Sequence, residues 1–159
     1  SLGIALAQAS DLSVTLLDSS PDMLKIAKKN IRESGLSGRI SPLAGDVHDV
    51  PLPAGSVDLV VSRGSLFFWE DLARAFSEIY RVLAPGGKTY VGGGFGTAEL
   101  RDSIAAAMTK ENPEWKSFRD KNLGPENRAR IAGVIAGLGL PHRIIYDDSG
   151  LWVMMEKGK

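Results

Sequence analysis

The chain has 159 residues, about the size of one domain, and 19 lysines and arginines balance 19 aspartates and glutamates. Its hydrophobic share of 43% and charged share of 24% are ordinary for a globular protein with one sizeable core. The sequence has no cysteine, no basic run and no apolar stretch near the roughly 20 residues that a membrane helix needs. We therefore expect no disulfide, thiolate metal site, nucleic-acid partner or membrane span, and the composition favours a cytoplasmic protein.

The first nine residues have the apolar spacing of a helix, with Leu2, Leu6 and Ala9 on one face. Neither an initiator methionine nor a capping loop precedes them, although a helix rarely opens a domain without such a loop. We therefore expect the parent protein to contain residues before Ser1.

Strand and helix patterns then alternate. Residues 12–17 are mostly apolar and predict a buried strand that ends at Asp18. The Ser-Ser-Pro-Asp run at 19–22 predicts a helix start, and Gly35 is placed to end that helix. Residues 39–44 predict a second strand, at a sheet edge because Pro42 cannot donate a backbone hydrogen bond.

The middle of the chain repeats this alternation. Residues 57–62 predict a third strand, and apolar residues at 72, 76, 79 and 83 predict a helix. The Ala-Pro-Gly-Gly run at 84–87 predicts a strong turn before a fourth strand that begins at 88–91. Residues 92–96 are rich in glycine, but they contain no lysine and follow the wrong strand for a phosphate loop. We interpret them as a flexible strand end that lets the backbone approach a substrate or cofactor.

The last third predicts helices at 99–108 and 126–138, with a packed loop or short helix at 112–124. Two β-rich runs at 142–146 and 151–155 flank a polar turn, which predicts a hairpin. The whole pattern predicts an α/β fold, with a doubly wound, mostly parallel sheet and a C-terminal antiparallel hairpin, as a single domain over residues 1–159.

Two acidic residues follow the first two strands, where ligands of open parallel sheets bind. The carboxylate of Asp18 can accept both hydroxyls of a ribose, or it can simply be an acid at a helix start. Asp46 can accept from an adenine amino group, with Gly45 leaving room for a flat base, or the pair can form an ordinary turn.

The residues after the third strand are also candidates. Gly64 either gives the backbone room beside a ligand or makes an ordinary strand-to-helix turn. The aromatic residues at 67–69 can cover a base or face a sulfonium, but we expect at least two of the three in the core. The acids and histidine at 46–49 suggest a metal only weakly, because the chain has two histidines, so we expect no metal site.

Several motifs together resemble class I S-adenosylmethionine-dependent methyltransferases. Residues 14–24 resemble the acidic second-strand motif of that family, and residues 44–47 with Leu52-Pro53 resemble its third-strand motif. Residues 57–63 and 83–88 are similar to its fourth- and fifth-strand regions. The closing hairpin would then be strands six and seven, with the seventh inserted antiparallel. The resemblance covers nearly the whole chain and is strongest to the small-molecule branch related to ubiquinone and menaquinone methyltransferases.

This resemblance implies a Rossmann-like fold, S-adenosylmethionine as the cofactor and methyl transfer to a small-molecule acceptor. When the family's cofactor contacts are carried over by position, Asp18 would bind the ribose, and Ser19 and Met23 would line the adenosine. Gly45, Asp46 and Val47 would lie at the adenine, and Ser62, Arg63 and Gly64 would border the methionine end. Phe67 and Trp69 would lie on the substrate side.

The chemistry needs few special residues, because the sulfonium already activates the methyl group and positioning supplies most of the acceleration. The catalytic residues therefore stay unassigned. Asp147, Asp148 and Arg63 are candidates for a proton acceptor or orienting group near the substrate.

One departure from the family is the absence of its first strand and Gly-x-Gly-x-Gly loop. We therefore expect this chain to bind the cofactor incompletely by itself. Two other classes stay open: a truncated, non-catalytic nucleoside-binding or partner-completed module, and a nicotinamide-dependent dehydrogenase. The Gly45-Asp46 pair, the turn at 84–87 and the terminal hairpin favour the methyltransferase. The acceptor is not identified, and self-association is left open.

Overall fold

In the computed structural model helices and strands alternate over most of the first two-thirds of the chain, and three consecutive helices precede the closing hairpin. The structure describes residues 1–159, with the side chains of Phe118 and Arg119 outside the description. The described residues fall into two units, Ser1–Leu52 and Pro53–Lys159, and each is presented by itself. The single methyltransferase domain over residues 1–159 stays a prediction.

The first unit contains a parallel pair of strands. Its elements are α1 (Leu2–Gln8), β1 (Val14–Asp18), α2 (Pro21–Glu33) and β2 (Ile40–Ala44). Val14 lies opposite Ile40 and Asp18 lies opposite Ala44, so both strands end at the same level. Within the described residues β2 pairs with β1 alone, which agrees with the edge position predicted from Pro42.

Helix α2 begins and ends where its residues predict. The hydroxyl of Ser20 accepts a hydrogen bond from the backbone N–H of Met23 at 3.3 Å, and Pro21 occupies the first helical position. Gly35, just beyond the helix, has a φ of 70°, which glycine adopts without strain.

The interior of the first unit is small. Its core cluster consists of Ala7, Ile31 and Ile40, with partly buried side chains packed around them. The guanidinium of Arg39 adds a polar link, since it donates to the carbonyl oxygens of Ala7 and Ser10 at 2.5 and 2.7 Å. Ala7 lies in the last turn of α1, where the helix itself leaves carbonyls without a donor, and Ser10 follows the helix. Arg39 therefore connects α1 to the beginning of β2.

The second unit contains a four-stranded mixed sheet. Its elements are β3 (Val57–Arg63), a 3-10 helix (Ser65–Phe68), α3 (Leu72–Val82), β4 (Leu83–Gly93), α4 (Ala98–Glu111), α5 (Trp115–Leu123), α6 (Pro125–Gly137), β5 (His142–Asp147) and β6 (Gly150–Met155). The strand order is β3-β4-β6-β5, with β3 and β4 parallel and the other pairs antiparallel. The last strand is thus inserted antiparallel beside β4, as the family resemblance implies.

The core of this unit forms between α3, α6 and the sheet. The buried residues of α3 recur at helical spacing and include Phe76 and Ile79. Thr89, in β4, is a buried polar residue whose hydroxyl accepts from the N–H of Met155 at 2.8 Å. Because that hydroxyl has its partner, burying it carries little penalty.

The turn predicted at 84–87 does not interrupt the strand. The pairing of β3 with β4 moves from Val57 opposite Leu83 to Leu59 opposite Lys88, so extra residues of β4 bulge out between these pairs. Gly86 has a φ of 79°, as expected of a turn glycine, and donates to Lys157 O at 2.8 Å. The predicted turn is therefore present as a bulge, and only its predicted position before the strand was wrong, because β4 begins at Leu83.

The glycine run after this bulge is part of the sheet. Gly92 and Gly93 belong to β4 and pair with Trp152 and Leu151 of β6. A Cβ atom on Gly92 would collide with the carbonyl of Leu151, and one on Gly94 with the carbonyl of Ser149. The interpretation as a flexible strand end was therefore wrong for Gly92. A glycine is needed at this position because the backbones of β4 and β6 approach closely.

The end of one helix also differs from the prediction. Helix α4 continues to Glu111 instead of ending near Met108, because no helix-breaking residue occurs before Asn112-Pro113. The segment predicted as a packed loop or short helix forms α5, in agreement with the short-helix alternative. In the part of the chain that is described, none of the helices has the length and apolar content required to cross a bilayer.

Candidate functional site

Two acidic residues occur at the carboxyl end of the two-stranded sheet, one at the end of β1 and one just after β2. Asp18 is the last residue of β1 and lies opposite Ala44, the last residue of β2. The N–H of Gly45 donates to the carbonyl of Asp18 at 3.2 Å, which brings the next residue, Asp46, to the end of β1. The sequence correctly predicts that these strand ends are neighbours. In parallel sheets this end is where ligands bind, so it is a candidate site.

The carboxylate of Asp18 has acceptor capacity to spare. Its Oδ1 atom accepts a hydrogen bond from the N–H of Ser20 at 2.9 Å, which supports the start of α2. Among the described residues the other oxygen, Oδ2, has no hydrogen-bond partner, and the side chain is half-buried. The helix-start role and a ribose-binding role are therefore compatible, because one oxygen serves each.

Asp46 is engaged in a tight turn. Its Oδ1 atom accepts from the N–H of His48 at 2.8 Å and lies 2.5 Å from Nδ1 of the same histidine. The N–H of Asp49 donates to the carbonyl of Asp46 at 3.1 Å and closes the turn. The turn alternative is thus realised, yet the Asp46 side chain is 56% exposed and can still accept from a ligand.

Gly45 is required by packing inside the first unit. A Cβ atom there would lie 2.6 Å from Cδ of Pro51 and 2.8 Å from Cδ1 of Leu17. Such a contact is too short for any larger residue, so protein packing explains this glycine without a bound base. Ser19 and Met23 flank Asp18 and are exposed, and half-buried Val47 follows Asp46.

The residues predicted for the methionine end of the cofactor lie at the end of β3 and in the turn that follows it. Ser62 and Arg63 end the strand, opposite Val91 and Gly92. Gly64 has a φ of 90°, in the left-handed region, and its N–H donates to the carbonyl of Gly92 at 2.7 Å. The ordinary-turn interpretation therefore suffices for Gly64.

The three aromatic residues that follow have different surroundings. Trp69 meets the ring of Phe76 edge to face, with centroids 5.9 Å apart, while Phe68 is 70% exposed. Phe67 is half-buried against Gly93. None of the three is fully buried, so the expectation of at least two core residues was wrong. The short 3-10 helix buries Leu66, whereas Phe68 faces solvent and Phe67 and Trp69 keep part of their surface exposed.

The second unit contains a cavity of about 370 Å³ beside this turn. Its walls come from β3, the glycine run of β4, α4 and α5, and the lining residues are Arg63, Gly64, Phe67, Gly93, Gly94, Phe95, Leu100, Ile104, Trp115, Asn122 and Leu123. Three residues predicted for the site, Arg63, Gly64 and Phe67, line this cavity. Ser62 and Trp69, which were also predicted, do not line it. Trp69 packs instead on the core ring of Phe76.

Sequence reasoning missed the part of the cavity that α4 and α5 supply. Leu100 and Ile104 stand four residues apart and share one face of α4. Trp115 begins α5 within a polar stretch, and its ring meets Phe95 at 6.1 Å. Isolated large apolar residues in otherwise polar segments were the available signal.

The candidate proton acceptors near the hairpin have structural partners. Asp147 accepts from both the hydroxyl and the N–H of Ser149, and these hydrogen bonds hold the pKa of Asp147 below its ordinary value. Asp148 pairs with Arg101 at 3.1 Å. The pKa of Arg101 is raised, mainly by its hydrogen bond to Asp102 and then by the one to Asp148. A carboxylate with a lowered pKa is a weak base near neutral pH, which makes Asp147 a poor proton acceptor.

Acidic residues at adjacent parallel strand ends are typical of α/β proteins that bind nucleotide-like ligands. Residues 2–91 match the family model of the methyltransferase domain, and this match covers more than half of the chain. The chain therefore belongs to the S-adenosylmethionine-dependent methyltransferases, and S-adenosylmethionine is the cofactor of this family. The predicted fold class and family are both confirmed.

Individual relatives agree with this assignment. The chain is 38% identical over 141 residues to the chloroplastic 2-methyl-6-phytyl-1,4-hydroquinone methyltransferase of Spinacia oleracea, a match that covers 79% of this chain and 39% of the relative. It is 33% identical over 78 residues to the ubiquinone/menaquinone biosynthesis C-methyltransferase of Psychromonas ingrahamii, covering 49% of this chain and 31% of the relative. The chain thus spans less than half the length of these curated relatives.

A solved structure extends the similarity to nearly the whole chain. It is the crystal structure of a Methanococcus maripaludis protein assigned to the S-adenosyl-L-methionine-dependent methyltransferases. The two are 51% identical with a TM-score of 0.96, and the match covers 99% of this chain and 73% of that one.

Proposed function

We propose that this chain transfers a methyl group from S-adenosylmethionine to a small-molecule acceptor. The observation that carries the proposal is the carboxylate of Asp18, half-buried at a parallel strand end, with one oxygen left for a ligand. Asp46 lies at the neighbouring strand end, linked through the contact between Gly45 and Asp18. Acceptors at two neighbouring strand ends suit a nucleoside, which presents ribose hydroxyls and an adenine amino group as donors.

Each predicted cofactor residue has a role in this proposal. Asp18 accepts from the ribose hydroxyls, and Asp46 accepts from the adenine amino group. The remaining residues line the adenosine at Ser19, Met23, Gly45 and Val47, and border the methionine end at Ser62, Arg63 and Gly64. The cofactor supplies the activated methyl group, so the main task of these residues is orientation.

The acceptor is proposed to approach from the side of Phe67 and Trp69, of which Phe67 lines the cavity. The balance of 19 basic and 19 acidic residues supports a small molecule over a nucleic acid. A cytoplasmic location and any self-association remain predictions.

Calorimetry with S-adenosylhomocysteine tests the proposal. It is run on the chain and, where the gene encodes residues upstream of Ser1, on the whole encoded protein. Asp18→Ala should weaken binding about 10- to 100-fold, because a hydrogen bond to a charged group contributes roughly 1.5–3 kcal/mol. Asp22→Ala is the matched control, since Asp22 is exposed and pairs only with Lys25 at 3.0 Å among the described residues.

Three results would contradict the proposal. Absence of any binding would remove the cofactor role, and unchanged affinity of Asp18→Ala would remove Asp18 from the site. Enhancement of NADH fluorescence on mixing, without S-adenosylhomocysteine binding, would favour the dehydrogenase instead.

A further inference from the structure

The cavity of the second unit is built mainly from aromatic and aliphatic side chains. Phe67, Phe95 and Trp115 contribute three rings, and those of Phe95 and Trp115 meet at 60° with centroids 6.1 Å apart. Aromatic rings prefer to receive another ring stacked or edge-on. The volume of about 370 Å³ lies at the small end of the roughly 300–1,000 Å³ that small-molecule pockets occupy. These walls therefore suit a flat molecule of one or two rings.

One wall of the cavity carries apolar surface that the protein does not cover. Leu100 and Ile104 face the cavity from α4, and Leu100 remains 50% exposed. The described residues of α4 include no fully buried side chain. Covering this surface with an apolar ligand would remove it from water, which is favourable in proportion to the area.

In the described part of the chain, Arg63 is the one charged residue that lines this mainly apolar cavity. Its side chain is exposed, and it has no ion pair or hydrogen bond to any described residue. An arginine fork binds a carboxylate or another oxyanion through two parallel hydrogen bonds. The arrangement therefore favours a ligand with one negatively charged oxygen group beside its rings.

We propose that this cavity binds the methyl acceptor, and that the acceptor is a flat aromatic molecule bearing one anionic oxygen group. Its rings lie among Phe67, Phe95 and Trp115. Its anion pairs with the guanidinium of Arg63, the residue that we propose at the border between the acceptor and the methionine end of the cofactor. The role of the bound molecule as methyl acceptor rests on the proposed methyltransferase function. The binding itself requires only residues of the second unit.

Calorimetry on the full chain without cofactor tests the ligand class with three probes of one shape. These are 2-naphthoate, which is anionic, 2-naphthalenemethanol, which is neutral, and 2-naphthylmethylammonium, which is cationic. We expect 2-naphthoate to bind at least about tenfold more tightly than the alcohol, because its pair with Arg63 is charge-assisted. The ammonium should bind most weakly.

Two variants separate the charge from the rings. Arg63→Gln should abolish the preference for 2-naphthoate while leaving the affinity for the alcohol unchanged. Lys110→Gln is the matched control, since it removes an exposed cation of α4 that does not line the cavity. Trp115→Ala should weaken all three probes about fivefold through the loss of an aromatic contact. Circular dichroism confirms that each variant is folded.

The inference is overturned if 2-naphthoate does not bind, if the three probes bind equally, or if Arg63→Gln retains the preference. Its failure is distinguishable from that of the proposed function. A chain that binds S-adenosylhomocysteine but shows no preference among the probes would contradict the acceptor class alone. If 2-naphthoate is preferred but neither the chain nor the whole encoded protein binds S-adenosylhomocysteine, the methyltransferase proposal alone is contradicted.

Discussion

The two units of the chain bury very different amounts of apolar surface. Among the described residues, four buried apolar side chains belong to Ser1–Leu52 and fourteen belong to Pro53–Lys159. The first unit has a two-stranded sheet and the second a four-stranded one. A two-stranded pair is marginal in water unless it packs against helices. The comparison indicates that polar links such as that of Arg39 matter more in the first unit, and apolar packing in the second.

The functional residues divide along the same line. The acids that we propose for the nucleoside belong to the first unit, while the aromatic cavity belongs to the second. Hydrogen bonding at strand ends needs only a short stretch of chain with the correct residues. A cavity of about 370 Å³ needs several elements packed around it.

The largest effect is expected from Phe76→Ala in the second unit. Phe76 is fully buried and meets the ring of Trp69 at 5.9 Å. Its removal should lower the free energy of unfolding by about 3–5 kcal/mol, measured by urea denaturation. Phe68→Ala removes the same side chain where it is 70% exposed, and should cost less than about 0.5 kcal/mol. Equal losses in the two variants would mean that the buried core does not dominate the second unit.

A smaller loss is expected from Arg39→Met in the first unit. The substitution keeps much of the length of the side chain but removes both hydrogen bonds to the end of α1. We expect a loss of about 1.5–3 kcal/mol in the same measurement, because the donor is charged. Arg32→Met, at an exposed site in the last turn of α2, should cost less than about 1 kcal/mol. If Arg39→Met costs no more than this control, the polar link does not stabilise the unit.

The smallest effect is expected from Asp147→Asn, and it should depend on pH. The hydrogen bonds from Ser149 lower the pKa of Asp147 below its ordinary 3.8, so the folded state favours the charged carboxylate. The stabilisation is therefore present above pH 3.8 and is lost as the pH falls through the lower folded-state pKa. Melting temperatures should place the variant slightly below the wild type at pH 7, and the gap should close in acid.

Asp11→Asn provides the control for this pH dependence, because the exposed side chain of Asp11 has no hydrogen-bond partner among the described residues. A gap between wild type and Asp147→Asn that stays constant down to acid pH would show that the carboxylate charge is not involved.

Local features of the fold and site were predictable because few residues decide them. Ser20 and Pro21 start α2 through a cap and a fixed backbone angle, and both act within one turn. The hairpin of β5 and β6 follows from a polar turn between two β-rich runs. The two acids could be placed at neighbouring strand ends because parallel strands align their carboxyl ends.

The features that sequence reasoning missed depend on distant parts of the chain. The glycine at position 92 is explained by the carbonyl of Leu151, and the bulge of β4 by its pairing with β3 on both sides. Leu100 and Trp115 become neighbours of Phe67 only when α4 and α5 fold over the end of the sheet. Motifs and periodicity by themselves determined the family, the element order and the positions of Asp18 and Asp46 relative to the strands. Each of these depends on residues that are neighbours in the sequence. The cavity walls and the surroundings of each aromatic ring were decided by tertiary packing, because contacts between residues far apart in the chain are not encoded in any local pattern.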